Sequence, residues 1–322
     1  MKKATSVALG ATLLLAAPAF AQDYPARPIR MVIPYTPGGN IDGVARRILN
    51  EWIGPFGQQI VVDNRGGAGG TIGTEIVAKA PANGYTILYG NIGPLAIGPH
   101  VYKNLGYDVF KDFAPVTLAT ISPFMLFVST KVPVSSVKEL IAYAKERPGK
   151  LNYASSGVAS GLHLTSELFA QVAKLELVHV PFKGLGPALP AIASGQIHLL
   201  TYPPSGAAPH VKSGLIKPLM VAGNKRSPRF PDSPTAAELG MPSFDAISWH
   251  AILAPAGTPA AVIQKLQQTF KTAIASPRLQ KAMTEIDVEL VGSTPAELEK
   301  FLRSENEKWG GLIRSAGIKL EQ

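Results

Sequence analysis

The feature that most constrains the fold of this chain is a strand, a turn and a helix that follow one another between residues 29 and 52. The apolar strand Ile29–Ile33 runs into the turn PYTPGGN at 34–40, and apolar residues then recur at helical spacing as far as Trp52. A helix of this kind packs one face on a core, while the backbone N–H groups of its first turn lack intrahelical partners. Because Gly38 and Gly39 carry no side chains and the helix dipole favours negative charge, the turn suits a small carboxylate without an arginine. The alternative is that proline and glycine only turn the chain here.

The beginning of the sequence has the pattern of a secretory signal peptide. Lys2 and Lys3 precede an apolar stretch at 4–18, and Ala19-Phe20-Ala21 has the small-x-small pattern of a cleavage site. We therefore expect residues 1–21 to be removed and the protein to be exported to the periplasm. No later apolar run reaches the roughly 20 residues of a spanning helix.

Composition narrows the possible functions. The 322 residues contain no cysteine, which excludes disulfides, thiolate catalysis and thiolate metal sites. The formal net charge of +9 is spread along the chain and gives little support to nucleic-acid binding. With 46% hydrophobic and 16% charged residues, the chain can bury a large core, and its length favours two domains.

The first part of the chain repeats the order strand, glycine turn, helix. Strands are predicted at 59–64 and 85–89, and small-residue turns follow them at 65–73 and 90–94. In open α/β sheets the ligand lies outside the carboxyl ends of the strands. The three turns at 34–40, 65–73 and 90–94 are therefore predicted to line one site.

A second unit of the same kind follows. The apolar passage at 116–128 predicts strands that cross into it, and a strand at 151–154 leads into the serine-rich loop SSGVASG at 155–161 and an amphipathic helix. Three serines and two glycines exceed what one helix cap needs, although any one of these serines could be only a cap. Further strands are predicted at 177–182, 197–202 and 215–222, before a return to the first unit at 250–255. Ser136, Thr258 and Thr294 are predicted helix caps.

In these loops the sequence resembles the Bug (TctC) family, the periplasmic substrate-binding proteins associated with tripartite tricarboxylate transporters. The resemblance covers essentially the whole chain after the signal peptide. It is carried by the segments PYTPGGNID at 34–42, VDNRGGAGGTIG at 62–73, NGYT at 83–86, YASSG at 153–157, VPFKG at 180–184, GQ at 195–196 and APAGTP at 254–259.

The resemblance implies a two-lobe α/β fold of the periplasmic-binding type, with a mixed sheet in each lobe and the ligand between them. The expected boundaries are 22–123 and 227–322 for lobe 1 and 124–226 for lobe 2. The implied function is the capture of a small organic carboxylate, a di- or tricarboxylate and possibly an aromatic one, for delivery to a membrane permease. The protein is expected to be a monomer, to perform no chemistry and to need no cofactor or metal.

The loops that match 35–42 and 155–161 grip one carboxylate in the family, partly through water. In this chain Gly38 to Ile41 are expected to offer backbone N–H groups, the serines hydroxyls or amides, and the aromatic residues flat walls. The predicted ligand-binding residues are Tyr35, Gly38, Gly39, Asn40, Ile41, Asp42, Asn91, Gly93, Ser155, Ser156, Gly157, Ser160, Gly161, His163, Phe182, Lys183, Tyr202 and Trp249. Asp42 and His163 could equally be structural, and the aromatic residues could be core.

The sequence departs from the family at three positions. Family members often carry acidic residues where this chain has Ala191 and His198, and a proline where it has Gly66. The loss of two acids weakens the case for an amino-acid ligand, whose ammonium group needs a carboxylate partner.

The sequence gives less support to other functions. The six histidines form no i, i+4 pair, which argues against a metal carrier. A serine hydrolase is the rival enzyme, but the G-x-S-x-G elbow is missing, and the glycine turn at 66–73 is not followed by the lysine of a phosphate loop. A periplasmic sensor that binds the same ligand for a signalling partner stays open.

Overall fold

The structure is a computed structural model that describes residues 24–182, 184 and 186–316. The predicted signal peptide and Lys183 lie outside the described residues. The strands, numbered along the chain, are β1 Ile29–Ile33, β2 Ile60–Asn64, β3 Thr86–Asn91, β4 Phe113–Pro123, β5 Met125–Ser129, β6 Asn152–Ser155, β7 Val178–Pro181, β8 Leu199–Tyr202, β9 Ile216–Val221, β10 Ile247–Pro255 and β11 Glu289–Leu290. The helices are α1 Asn40–Phe56, α2 Thr71–Ala78, α3 Gly98–Val101, α4 Val137–Lys145, α5 Gly161–Ala173, α6 Leu189–Ser194, α7 Pro204–Lys212, α8 Ala260–Ile274, α9 Pro277–Thr284 and α10 Pro295–Ala316.

Two mixed sheets flanked by helices form the predicted two-lobe α/β fold. The first sheet has the strand order β11-β4-β10-β3-β1-β2, with β1 parallel to β2 and β3 and with β10 antiparallel to β3 and β4. The second has the order β7-β6-β8-β5-β9, with β6 parallel to β7 and β8 and with β5 antiparallel to β8 and β9. The strands of the second sheet lie between residues 125 and 221, inside the range expected for lobe 2.

The chain passes between the sheets twice. Phe124 alone separates β4 of the first sheet from β5 of the second, and residues 222–246 lead back from β9 to β10. These two passages lie side by side, because the N–H of Phe124 donates to Ala246 and its carbonyl accepts from Ala222. The apolar run that the sequence analysis assigned to crossing strands therefore forms part of the junction between the lobes.

Helix α1 is positioned by the apolar residues that the sequence pattern identified. Ile41, Val44, Ile48 and Trp52 are buried against the first sheet, together with β1 residues of alternate positions such as Met31 and Ile33. The helix ends at Gly57, whose φ of 78° is the left-handed conformation of a helix C-cap. Burial of this face fixes the direction in which the first turn of α1 points.

Two of the three predicted helix caps are present. The hydroxyls of Ser136 and Thr294 accept the N–H groups of Glu139 and Glu297 at 3.2 and 3.3 Å. The third prediction is wrong: the hydroxyl of Thr258 donates to the carbonyl of Pro255, and α8 begins without a side-chain cap. Thr258 instead stabilises the tight turn that follows β10.

Helices in the described ranges are all too short or too polar to cross a bilayer.

A buried carboxylate organises the junction between β10 and α10. Glu305 accepts the indole N–H of Trp249 at 2.7 Å and that of Trp309 at 3.1 Å. Both tryptophans are fully buried, and Trp249 also packs edge-on against Phe301. Trp249 is therefore a core residue whose polar atom is already satisfied.

We predict that Glu305→Leu destabilises the protein strongly, because two buried indole N–H groups lose their common acceptor. The expected loss is about 2–4 kcal/mol in the free energy of unfolding, measured by urea denaturation. Glu307→Leu, on the exposed face of the same helix, is the control and should change stability by less than about 0.5 kcal/mol. Equal stability of the two variants would show that the tryptophans do not need Glu305.

Candidate functional site

The turn at 34–40 is held in shape by the carboxylate of Asp42. Its Oδ2 accepts the N–H of Gly38 at 3.0 Å, and its two oxygens also accept Arg46 Nε and Asn64 Nδ2 at 3.0–3.1 Å. Burial alone would raise the pKa of Asp42, but the hydrogen bonds from Arg46, Gly38 and Asn64 outweigh it and hold the pKa below its usual range. Asp42 is thus ionised and stabilises the turn. The N–H of Gly38, a predicted ligand donor, is already hydrogen-bonded to Asp42.

The first turn of α1 keeps N–H groups without a protein acceptor. Gly39 is the N-cap and has no side chain to offer, and the first bond of the helix runs from Gly43 N–H to Gly39. Among the described residues, the N–H of Ile41 meets no acceptor. Asn40 reaches across to the other lobe, where the Ser205 hydroxyl donates to its side-chain oxygen.

The serine loop gives each of its serines a different role. Ser160 is fully buried and is the N-cap of α5, accepting the N–H of His163 at 3.3 Å. Ser155 is also fully buried, and its hydroxyl lies 2.6 Å from His179 Nε2 and 3.1 Å from the N–H of Gly157. Ser156 lies between these supports and lines the cavity described below, as do Gly161 and Leu162 at the start of α5.

Ser155 and His179 have the spacing of a nucleophile and its base, but their surroundings indicate a structural pair. The Ser155 hydroxyl has no exposed surface, lies outside the cavity and is 3.0 Å from the carbonyl of Gly157. The pair therefore fixes the turn that presents Ser156. The Ser155–His179 pair thus fixes a cavity-lining turn in lobe 2, as Asp42 does in lobe 1.

Two stacked histidines lie beneath the serine loop. The ring centroids of His163 and His179 are 3.8 Å apart and the rings are nearly parallel, and the ring of Tyr153 lies beside both, 5.1 Å from His179 and 6.3 Å from His163. Burial lowers the pKa of His163 to about 3, with a further contribution from His179, and burial lowers the pKa of His179 to about 4. Both rings are neutral at neutral pH. His163, a predicted ligand contact, instead accepts the N–H of Ala159 and lies outside the cavity.

A cavity of about 720 Å³ lies between the two lobes. Lobe 1 contributes the turn at 34–40, α1 and the end of β3, and lobe 2 contributes Ser156, the start of α5, the segment around α6, and α7. Nine of the predicted residues line it: Tyr35, Gly38, Gly39, Asn40, Ile41, Asn91, Ser156, Gly161 and Tyr202. Sequence reasoning missed several others, namely Thr36, Gly43, Val44, Arg47, Phe124, Leu162, Gly184, Leu189, Ser205, His210, Ser248 and His250.

The charge of the lining is one-sided. Among the described residues no acidic side chain lines the cavity, and Arg47 is its one formally charged group. His250 is fully buried at the inner end, where burial lowers its pKa to about 3 and Nδ1 lies 2.8 Å from the Thr120 hydroxyl. Burial also lowers the pKa of His210. The cavity therefore combines uncharged hydrogen-bond donors with one guanidinium.

The aromatic residues predicted as walls divide into two groups. Tyr35 and Tyr202 line the cavity, and burial raises the pKa of Tyr35 well above its usual range and that of Tyr202 to about 12, so both stay neutral hydroxyls. Phe182 packs against the core of lobe 2 outside the lining, and Trp249 belongs to the core bound to Glu305. Trp249 cannot form a wall of the cavity, because its ring is fully buried in the protein core.

Gly93 and the glycine turn at 65–73 contact the Tyr35 side chain and so help to position it. The Tyr35 hydroxyl donates to the carbonyl of Gly69 at 2.8 Å and lies 3.1 Å from the side-chain amide of Asn91. A Cβ on Gly93 would come within 2.7 Å of that hydroxyl. The turn at 65–73 was predicted to line the site, but it lies outside the cavity and positions Tyr35 instead.

The three family departures also lie outside the lining. His198 bonds to Asn152 on the second sheet, Ala191 lies in α6, and Gly66 packs against Thr36. The absence of acids at 191 and 198 therefore says nothing direct about the ligand. The cavity lining, which has no acidic side chain among the described residues, disfavours a ligand with an ammonium group.

Residues 44–318 match the model of the tripartite tricarboxylate transporter family receptor, TctC. The chain belongs to this family. It is also 36% identical to Protein BugT of Bordetella pertussis over 312 residues, which cover 97% of this chain and 96% of BugT. As a Bug/TctC protein it has the fold of the periplasmic binding proteins.

Solved structures of the family agree closely with this one. R. palustris Rpa4515 with adipate superposes with a TM-score of 0.88 at 37% identity, covering 92% of this chain and 99% of that chain. MatC (Rpa3494) from Rhodopseudomonas palustris with bound malate superposes with a TM-score of 0.85 at 31% identity, covering 90% and 100%. Both of these relatives bind dicarboxylates.

The histidine stack makes stability depend on pH in a defined window. In the unfolded chain each histidine binds a proton below about pH 6.5, whereas the folded protein resists protonation until pH 3–4. Folded stability contributed by the neutral rings is therefore complete above pH 6.5 and is lost as the pH falls. We predict that His163→Phe, which preserves a flat ring against His179, reduces the slope of unfolding free energy against pH.

The slope is to be measured by urea denaturation between pH 6.5 and 5, above the range in which most carboxylates titrate. One histidine that is protonated only when unfolded contributes up to about 1.4 kcal/mol per pH unit. His179 remains in the variant and should leave part of the slope. An unchanged slope would mean that His163 protonates equally well in the folded and the unfolded protein.

Proposed function

We propose that this protein captures a small organic carboxylate between its two lobes in the periplasm and delivers it to the membrane permease of a tripartite tricarboxylate transporter. The observation that carries the proposal is an interlobe cavity without acidic lining residues, into which the first turns of α1 and α5 face. The signal-peptide pattern supports the location, and family membership supports the partner.

The first carboxylate of the ligand is expected at the inner amide-lined part of the cavity. The N–H of Ile41 from lobe 1 and those of Gly161 and Leu162 from lobe 2 have no protein acceptor among the described residues, and Ser156 adds a hydroxyl. Each helix dipole adds partial positive charge at its start. Hydrogen bonds of this kind to an anion are stronger than those between neutral groups.

Closure of the lobes on the ligand follows from contacts that cross the cleft. Ser205 of lobe 2 donates to Asn40 of lobe 1, and the Tyr102 hydroxyl donates to the carbonyl of Val158 at 3.2 Å. These bonds exist only when the lobes approach, so a carboxylate held by both lobes shifts the protein toward the closed arrangement.

The relatives favour a dicarboxylate ligand. Rpa4515 is seen with adipate and MatC with malate, and a cavity of about 720 Å³ accommodates acids of that size. The acid-free lining speaks against an amino acid, since its ammonium group would find no carboxylate partner here. An aromatic dicarboxylate is retained as a member of the test panel.

A thermal-shift screen against aliphatic and aromatic mono-, di- and tricarboxylates tests the proposal. A ligand that binds only the native state raises the melting temperature. Binding of at least one acid, and no response to amines or neutral sugars, is the expected result. A protein that no carboxylate protects from heat would refute the function.

We predict that Ser156→Ala weakens the best acid by about 1–3 kcal/mol, or roughly 5- to 150-fold in Kd, because one buried carboxylate oxygen loses its partner. Isothermal titration calorimetry gives the Kd. Ser194→Ala is the matched control, since the Ser194 hydroxyl bonds only to Ala191 of its own helix and lies outside the cavity. Unchanged affinity of the Ser156 variant would remove Ser156 from the site.

Delivery to a permease is tested separately from binding. The liganded protein should co-purify with the membrane permease encoded for a tripartite tricarboxylate transporter, and the unliganded protein should do so less. Retention on a sensor ectodomain instead would support the signalling alternative.

A further inference from the structure

Arg47 differs from every other described residue of the cavity by carrying a formal charge. Asn40, Val44 and Arg47 stand at i, i+4 and i+7 of α1, so they share the face that lines the cavity. The neighbouring Arg46 points elsewhere and pairs with Asp42 and Asn64. Among the described residues no carboxylate lies within ion-pair distance of Arg47.

The Arg47 guanidinium lies back along α1 toward the amide-lined end of the cavity. Its Nη1 donates to the carbonyl of Gly43 at 3.2 Å, and a Cβ on Gly43 would lie 3.5 Å from the same nitrogen. Helical side chains lean toward the N-terminus, and the missing side chain of Gly43 gives the guanidinium room to do so. This places the charge about one turn, ~5 Å along the axis, beyond the first residue of the helix.

Apolar residues contribute to the cavity wall around Arg47. Val44, which is almost fully buried, lies between Asn40 and Arg47 along α1, and Pro187 and Leu189 line the cavity from lobe 2. The cavity therefore offers amide donors, an apolar stretch and a guanidinium in that order. An acid with a hydrocarbon chain and a second carboxylate matches this order.

We propose that Arg47 binds the second carboxylate of a linear dicarboxylate whose first carboxylate occupies the amide-lined end. The inference rests on the proposed function and adds a distal subsite to it. A guanidinium uses one N–H on the Gly43 carbonyl and keeps others for a carboxylate, which it can grip with two parallel hydrogen bonds. A monocarboxylate of equal length would leave that charge without a partner.

The experiment compares matched pairs of acids by titration calorimetry: succinate with butyrate, glutarate with pentanoate, and adipate with hexanoate. The wild-type protein is expected to bind the best diacid about tenfold or more tightly than its monoacid, with a clear optimum of chain length. Arg47→Gln should abolish this preference and the length optimum, while the monoacid keeps its affinity within about twofold.

Two further variants separate a subsite from a general effect of charge. Lys265→Gln removes one positive charge from an exposed position of α8 outside the cavity and should leave every affinity unchanged. Arg47→Lys keeps the charge without the planar fork and should retain only part of the diacid preference. The melting temperatures of the unliganded variants should match that of the wild-type protein, since the side chain of Arg47 is exposed.

The remaining outcomes distinguish failure of the distal subsite from failure of the proposed function. Equal losses for diacid and monoacid in Arg47→Gln, or a wild-type protein that binds both members of every pair equally, would overturn the distal subsite and leave carboxylate binding intact. Failure of every acid to bind the wild-type protein would overturn the proposed function itself.

Discussion

The hydrogen bond from Gly38 to Asp42 determines how the lobe 1 half of the site is built. It ties Gly38, which has a φ of 80°, to a helix start where Gly39 offers no side-chain cap, and Asn64 holds the same turn by donating to the Tyr35 carbonyl at 3.0 Å. The carboxylate of Asp42 would by itself repel an anion bound nearby. Arg46 neutralises it at 3.0 Å and Asn64 Nδ2 donates to its Oδ1 at 3.1 Å, while Ile41, whose N–H is uncapped, lines the cavity. The helix start can accept an anion, because the charge of its own acid is already compensated.

Close approach of the lobes depends on glycines at the places where their loops meet. A Cβ on Gly69 would come within 2.5 Å of the Val158 carbonyl, and a Cβ on Gly161 would come within 2.5 Å of Ile92 Cγ2. Side chains at these positions would hold the lobes apart and separate the two sets of amide donors. The second glycine turn thus serves the contact between lobes and the position of Tyr35, while the ligand cavity lies in front of it.

The cavity offers two kinds of hydrogen-bond donor. Backbone amides and Ser156 are neutral and held in place by the fold, so in the proposed function they bind a carboxylate with little cost in side-chain entropy. Arg47 supplies full charge on a longer side chain, about one turn along α1 from the helix start. Under the proposed function this division would let the amide-lined end accept any carboxylate, while Arg47 would select by chain length and charge.

Local rules in the sequence predicted the repeated order of strand, glycine turn and helix, the helical face of α1 and the capping serine at 136, because apolar spacing, glycine turns and caps involve neighbouring positions. The two-lobe α/β fold was implied by the family resemblance, which rests on the order and spacing of several loop segments. Only the tertiary structure decided which members of those loops face the cavity. Ser155 is held by His179, 24 positions away, and Trp249 by Glu305, 56 positions away, so their burial depends on residues far apart in sequence. Ser160 is instead a local cap that accepts the N–H of His163, and only the packing of the loop shows that this serine, and not Ser156, is the cap. Arg47 escaped sequence analysis for the converse reason: an exposed arginine on a helix is ordinary until the opposite lobe encloses the space in front of it.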